Sequence, residues 1–130
     1  MIIESEKLRN WLQDKVGTQL ASDARFIGRI VDGNVVWVVG FGNYVGNDIE
    51  LTVAVEKGIT RKSLKAVFGY VFDTAGCNRC TIKTRASNAR ALEMAKRLGF
   101  VHEGTLRQGF GDEDTMIYGL LRNEYGTKHQ

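Results

Sequence analysis

The hydrophobic positions of this chain change period several times, and each change marks an element. Leu8, Trp11, Leu12 and Val16 recur at helical spacing, which predicts an amphipathic helix over Glu4 to Val16 that ends at Gly17. Phe26 to Val31 and Val35 to Phe41 are β-rich runs on either side of Asp32-Gly33, a strong hairpin signal. Gly40, Gly42 and Gly46 punctuate the next turn. Beyond it Ile49, Leu51, Val53 and Val55 alternate with Glu50, Thr52, Ala54 and Glu56, the two-residue period of a strand. Leu64, Val67, Phe68 and Val71 return to the helical rule and predict a helix from about Ile59 to Thr74. Cys80 to Arg85 reads as a strand, Asn88 to Leu98 as a third helix, and Phe100 to Arg107 and Thr115 to Asn123 as the last two strands.

The third helix has the clearest ends. Ser87 or Asn88 can cap it, Ala91, Ala95 and Leu98 keep its period, Lys96 and Arg97 meet the negative helix end, and Gly99 suits a left-handed C-cap. The order of elements predicts an α+β domain, a sheet of about six strands flanked by helices. With no proline, no linker-like stretch and no repeat, residues 1–130 read as a single domain.

Composition narrows the classes of function. Eighteen basic against fifteen acidic residues give a net charge of +3, too small and too evenly spread to argue for nucleic acid. No stretch approaches the roughly 20 apolar residues that span a bilayer, and MIIESEKLRN carries charges where a secretion signal needs an apolar core. The expectation is a cytoplasmic protein without a membrane partner. Cys77-Asn78-Arg79-Cys80 invites a metal or redox reading. A structural zinc needs four ligands, however, and the histidines are His102 and His129; a redox pair would precede a helix, whereas Cys80 leads into a strand. Reduced thiols and no metal are expected.

Asn88, Ala91, Leu98-Gly99-Phe100, Glu103-Gly104 and Arg107 form a pattern that resembles the C-terminal half of the GNAT superfamily of acetyl-CoA-dependent N-acetyltransferases. Asp114, Tyr118 and Glu124 fall where the branch that acetylates ribosomal-protein N-termini often has an acidic turn, a tyrosine on the last strand and a closing glutamate. The chain is also similar to short GNAT-like proteins of bacteriophage genomes. The resemblance runs from about Val53 to Tyr125 and implies a GNAT-like fold, a mixed central sheet of about six strands flanked by three helices.

What the resemblance implies for the site is specific. The turn from Val55 to Ser63 should receive the pyrophosphate of acetyl-CoA, with Val53, Val55, Lys57, Gly58, Ile59, Thr60, Arg61, Lys62 and Ser63 as cofactor-binding residues and Asn88 on the pantetheine arm. The physics agrees, because a glycine turn entering a helix exposes N–H groups at its positive end. The family motif there is Arg or Gln, two residues, Gly, one residue, Gly or Ala; this chain offers Val55, Gly58 and Thr60, so only the middle glycine survives. The implied chemistry is direct attack of a neutral primary amine on the thioester. Backbone N–H groups near Leu51 to Val55 would polarise the carbonyl, and Glu50 is the candidate base. Many members place a tyrosine acid where this chain has Ala95, which leaves Tyr118 as the candidate donor.

The acceptor is open at this level: a peptide N-terminus, a lysine or a small amine. Asp112, Glu113 and Asp114 could steer a cationic amine or simply form a polar turn, and Trp37, Phe41 and Tyr44 could line a cleft or fill a core. Two other classes stand beside the enzyme: an acyl-CoA-binding domain without turnover, and a protein or nucleic-acid interaction module using Arg85, Arg90 and Arg107. A monomer and a homodimer are both compatible with the sequence.

Overall fold

Apolar runs of alternating period pair into strands named here β1 (Ile2–Glu4), β2 (Arg25–Val31), β3 (Asn34–Val45), β4 (Asp48–Val55), β5 (Arg79–Arg85), β6 (Val101–Leu106) and β7 (Thr115–Leu121). The helices are α1 (Arg9–Val16), α2 (Arg61–Gly69), α3 (Ala89–Arg97) and α4 (Arg122–Lys128). In this computed structural model, which describes residues 1–128 and side chains as far as residue 125, the strands form one seven-stranded sheet in the order β1-β2-β3-β4-β5-β7-β6. Every neighbouring pair is antiparallel except β4 and β5, which run parallel.

Strand alternation sends the two rows of β3 to opposite faces. Trp37, Val39 and Phe41 join Ile49 and Leu51 of β4 in the larger core, closed by Val67, Phe68, Val71 and Phe72 and by Ala95 and Leu98. Val38 points the other way and meets Leu8, Leu12 and Phe26 in a smaller core under α1. The sheet therefore carries α1 on one face and α2, α3 and α4 on the other. Gly28 and Gly40 let α1 come close, since a Cβ at Gly40 would stand 3.0 Å from Leu12 Cδ2 and one at Gly28 3.0 Å from Leu8 Cδ1. The Asp32-Gly33 hairpin forms with both residues at positive φ, 51° and 80°.

Several expectations are corrected. The mixed sheet of about six strands forms with seven, and the strand not foreseen is Ile2–Glu4, which pairs with β2 through Ile2–Arg29, Ile3–Gly28 and Glu4–Ile27. The first helix consequently starts late: Ser5 caps a 3₁₀ turn over Glu6–Leu8, and α1 proper begins at Arg9. The second helix begins at Arg61 because the Thr60 side chain caps it, and it ends as a π turn over Tyr70–Thr74, where the Ala75 N–H reaches back to the Tyr70 carbonyl. Asn123 is not a strand residue. β7 stops at Leu121, whose N–H donates to Glu124 Oε1 at 2.9 Å, and a fourth helix follows. His129, weighed above as a zinc ligand, lies outside the described residues.

Leu12 is fully buried between α1 and the sheet. Leu12→Ala is expected to lower the unfolding free energy by about 2–5 kcal/mol in urea titration; a loss below about 1 kcal/mol would contradict this packing.

Candidate functional site

The site starts from an interruption in the sheet. β4 and β5 pair only through Asp48–Arg79, Ile49–Cys80, Glu50–Thr81 and Leu51–Ile82. Past Leu51, β4 continues beside β3 as far as Val55, and past Ile82, β5 continues beside β7 as far as Arg85, so the two strands separate. The backbone groups this frees can be identified. The Glu56 N–H donates to the Val36 carbonyl on the β3 side, while the Asn47 carbonyl accepts from the N–H groups of Asn78 and Arg79 on the β5 side. By alternation the odd residues of β4 face β5, and the N–H groups of Val53 and Val55 point into the opening.

A cavity of about 870 Å³ passes through this gap. On the α2 and α3 face it is lined by Gly58, Ile59, Leu64, Asn88, Met94 and Ala95. On the α1 face its lining includes Lys15, Gln19, Asn43, Glu50, Lys83 and Arg85. The loop from Thr18 to Ala21 covers that second mouth and is tied down from α1. The Arg9 guanidinium donates to the carbonyls of Leu20, Ala21 and Ser22 at 3.2, 3.0 and 3.2 Å, and the Leu20 N–H donates to Gln13 Oε1 at 3.0 Å. Lys15 at the end of α1 bonds Glu56 beyond the end of β4, and holds that carboxyl below the usual carboxylate range.

The expected residues fall into two groups. Glu50, Val53, Val55, Gly58, Ile59 and Asn88 line the cavity. Glu50 stands on the α1 face, one-fifth exposed, where it accepts from Asn43 Nδ2 at 2.9 Å and lies 3.5 Å from Lys83 Nζ. Asn88 caps α3, its Oδ1 accepting from the Ala91 N–H at 3.1 Å. Lys57, Arg61 and Lys62 are exposed around Gly58, outside the cavity lining, and a Cβ at Gly58 would meet nothing within 4 Å. Thr60 and Ser63 are engaged with each other: the Thr60 hydroxyl caps the Ser63 N–H at 3.1 Å and donates to Ser63 Oγ at 3.0 Å, with Ser63 buried. Tyr118 is buried outside the cavity lining, its ring 5.2 Å from that of His102. Sequence reasoning did not single out Lys15 and Lys83 for this site, and named Arg85 only for another role; their assembly depends on long-range packing that no local pattern encodes.

The remaining candidates are accounted for by contacts. Asp112 bonds Arg85 at 3.0 Å, which lowers its carboxyl pKa; Glu113 accepts from the Ser87 hydroxyl, and Asp114 from the Gln108 N–H at 2.9 Å. Trp37 and Phe41 belong to the larger core, and Tyr44 is exposed. Cys77 and Cys80 are free and buried, and burial, with Asp48 nearby, raises both thiol pKa values, so the thiols stay protonated. Among the described residues no group of three or more metal-ligating side chains comes together.

No protein-family model matches this chain, and no curated protein sequence matches it. Solved structures do. The spermidine/spermine N-acetyltransferase SpeG from Vibrio cholerae superposes with a TM-score of 0.78 at 15% identity, over 100% of this chain and 99% of that one. A structure described as a probable acetyltransferase gives 0.73 at 19% identity, over 95% and 94% of the two chains. The fold is that of the GNAT N-acetyltransferases. The N-acetyltransferase PseH from Campylobacter jejuni, solved with acetyl coenzyme A, shares that GNAT fold with a TM-score of 0.63 at 18% identity, over 78% of this chain and 70% of that one. No helix among the described residues is long and apolar enough to cross a membrane.

Because Arg9 anchors the Thr18–Ala21 loop through three carbonyls, Arg9→Leu is expected to loosen it locally. Amide hydrogen exchange should accelerate over residues 18–22 by about tenfold or more, since bonds to a charged donor contribute about 1.5–3 kcal/mol. Unchanged exchange there would contradict the anchoring.

Proposed function

We propose that the protein is an acetyl-CoA-dependent N-acetyltransferase acting on a primary amine. The observation that carries this reading is the gap between β4 and β5, with the Val53 and Val55 N–H groups directed into it and a cavity opening to both faces of the sheet. The residues present fit the donor. The gap accepts an extended arm, and unpaired strand N–H groups can bond its amides. Asn88 stands beside it, and Gly58 opens the entry to α2, where Lys57, Arg61 and Lys62 offer positive charge to a pyrophosphate.

Acetyl-CoA would supply the acetyl group as a thioester: the amine nitrogen bonds to the acyl carbon as the C–S bond breaks, the extra proton on the new amide nitrogen passes to solvent, and the coenzyme leaves as a thiolate that takes a proton from solvent. Glu50 accepts the proton that an ammonium acceptor must lose, directly or through a water, and Asn43 and Lys83 fix its carboxylate. Backbone N–H groups of β4 hold the carbonyl oxygen as negative charge develops. Among the described residues lining the cavity there is no cysteine, serine, histidine or tyrosine. Direct transfer therefore fits better than a covalent enzyme intermediate. Ala95 lines the cavity and Tyr118 does not, so solvent rather than a side chain protonates the leaving thiolate, whose pKa of about 8.5 makes that feasible near neutrality. A peptide N-terminus, including that of a ribosomal protein, a lysine and a small amine are all acceptors of the required chemistry.

Two variants test the reading. Gly58→Asp adds a carboxylate in open space, so the fold should persist while acetyl-CoA binding measured by calorimetry falls by about tenfold or more. Intact binding would remove the phosphate turn. Glu50→Gln should lower kcat by about a hundredfold with acetyl-CoA affinity unchanged, and a loss below about threefold would show that Glu50 is not the base. Saturable acetyl-CoA binding with no amine acetylated would instead establish a binding domain without turnover.

A further inference from the structure

The α1-side mouth of the cavity is lined by three cations, Lys15, Lys83 and Arg85, and by one carboxylate on the same face, Glu50. Glu50 is matched by Lys83 at 3.5 Å. The carboxylates that pair the other two cations, Glu56 and Asp112, do not line the cavity. Glu93, the other acid of the lining, pairs with Arg97 on α3, on the opposite face of the sheet. Each cation of this mouth is ion-paired, but the carboxylates that hold Lys15 and Arg85 stand outside the lining, so at those two positions cationic N–H donors rather than their partners face the space.

Arg85 is the most constrained of these cations. Its guanidinium stacks on the Phe110 ring at 4.5 Å, its Nη1 bonds Asp112 at 3.0 Å, and its Nη2 lies 3.6 Å from where a Cβ on Gly17 would stand. Only Nη1 is used by that bond, so the planar fork keeps N–H donors at a fixed orientation, the geometry that suits a carboxylate or phosphate. Lys83 and Arg85 are two residues apart on one strand face, about 7 Å. An amine nitrogen at Glu50, beside Lys83, would thus place an attached anion near Arg85 only if few bonds separate them.

We infer that the acceptor is a small primary amine carrying a carboxylate or phosphate a few bonds from its nitrogen, with Arg85 holding the anionic group while Glu50 accepts the proton that the ammonium gives up before attack. The inference rests on the acetyltransferase reading. It sets this mouth apart from one suited to a polyamine, whose several positive charges would meet like charge here.

The test compares amines that differ only in the anion. With acetyl-CoA saturating, free thiol release is measured for glycine and glycinamide, for phosphoethanolamine and ethylamine, and for spermidine. The acids should exceed their neutral partners in kcat/KM by about tenfold or more, the range of one charge-assisted bond. Glycine against phosphoethanolamine then tells carboxylate from phosphate. Arg85→Gln should raise KM for the preferred acid and collapse its advantage over the neutral partner. Asp112→Asn, at a surface carboxylate, should lower that KM severalfold by freeing the guanidinium. Spermidine or the neutral amines used as well as the acids would overturn the inference. Acetyl-CoA calorimetry separates the two levels. No binding by the folded chain removes the acetyltransferase reading and this inference with it. Binding without preference for the acids, in rate or in calorimetric affinity for the N-acetylated acid against the N-acetylated amine, removes the acceptor class alone.

Discussion

The parallel pairing of β4 with β5 ends after Leu51 and Ile82, and the rest of the molecule is arranged around that ending. A sheet interior normally satisfies every backbone group, because a buried unpaired N–H or carbonyl costs about 1–3 kcal/mol. The break is tolerable because each strand keeps its other neighbour: β4 stays on β3 to Val55 and β5 stays on β7 to Arg85. The closed half is held by apolar packing, with Ile49, Leu51, Cys80 and Leu120 buried in one core. The open half is bounded by polar ties instead, Lys15 to Glu56 on one edge and Arg85 to Phe110 and Asp112 on the other. One strand pair thus has a closed, apolar end and an open end edged by charged side chains.

That division explains what the CxxC motif does and does not do. Cys77 and Cys80 lie at the closed end, fully buried, with their thiols pushed towards the protonated form by desolvation and by Asp48. The carbonyl of Cys77 also accepts from Arg122 Nη2 at 3.0 Å, which fastens the start of α4 to the turn before β5. The motif is structural here because of where the chain places it, not because of its spacing.

Much of the fold was legible because its signals are local. The hairpin at Asp32-Gly33, the alternation of β4 and the cap and stop of α3 each depend on residues a few positions apart. β1 was not legible, since Ile2–Glu4 becomes a strand only by pairing with β2 some 25 residues later in the chain. The π turn was hidden for a different reason: apolar spacing at i, i+3 and i+4 does not distinguish it from a continuing α-helix. Val53, Val55, Gly58 and Asn88, which line the cavity, could be named through resemblance to a family, but what Val53 and Val55 direct into the opening is their N–H groups, and a valine side chain says nothing about that. Arg9 and Gln13 escaped notice because they reach the cavity only through the α1–β2 loop that they hold, and Lys15 because its partner, Glu56, lies 41 residues further along the chain.

The charge of the whole chain, +3, conceals how unevenly the cavity is charged. Lys15, Lys83 and Arg85 line the mouth under α1, while the partners of Lys15 and Arg85, Glu56 and Asp112, lie outside the lining, and Lys57, Arg61 and Lys62 are exposed around Gly58 on the other side, outside it too. Focusing of this kind raises the local concentration of anions at a concave site even when the net charge is small. Two anionic groups could occupy such a cavity together because each side has its own cations and salt screens charges separated by more than about 8–10 Å. The neutral, apolar passage between the mouths, bounded by Val53, Ile82 and Ala95, is where the thioester would lie. A negative charge developing there would stand beside the backbone N–H groups of Val53 and Val55.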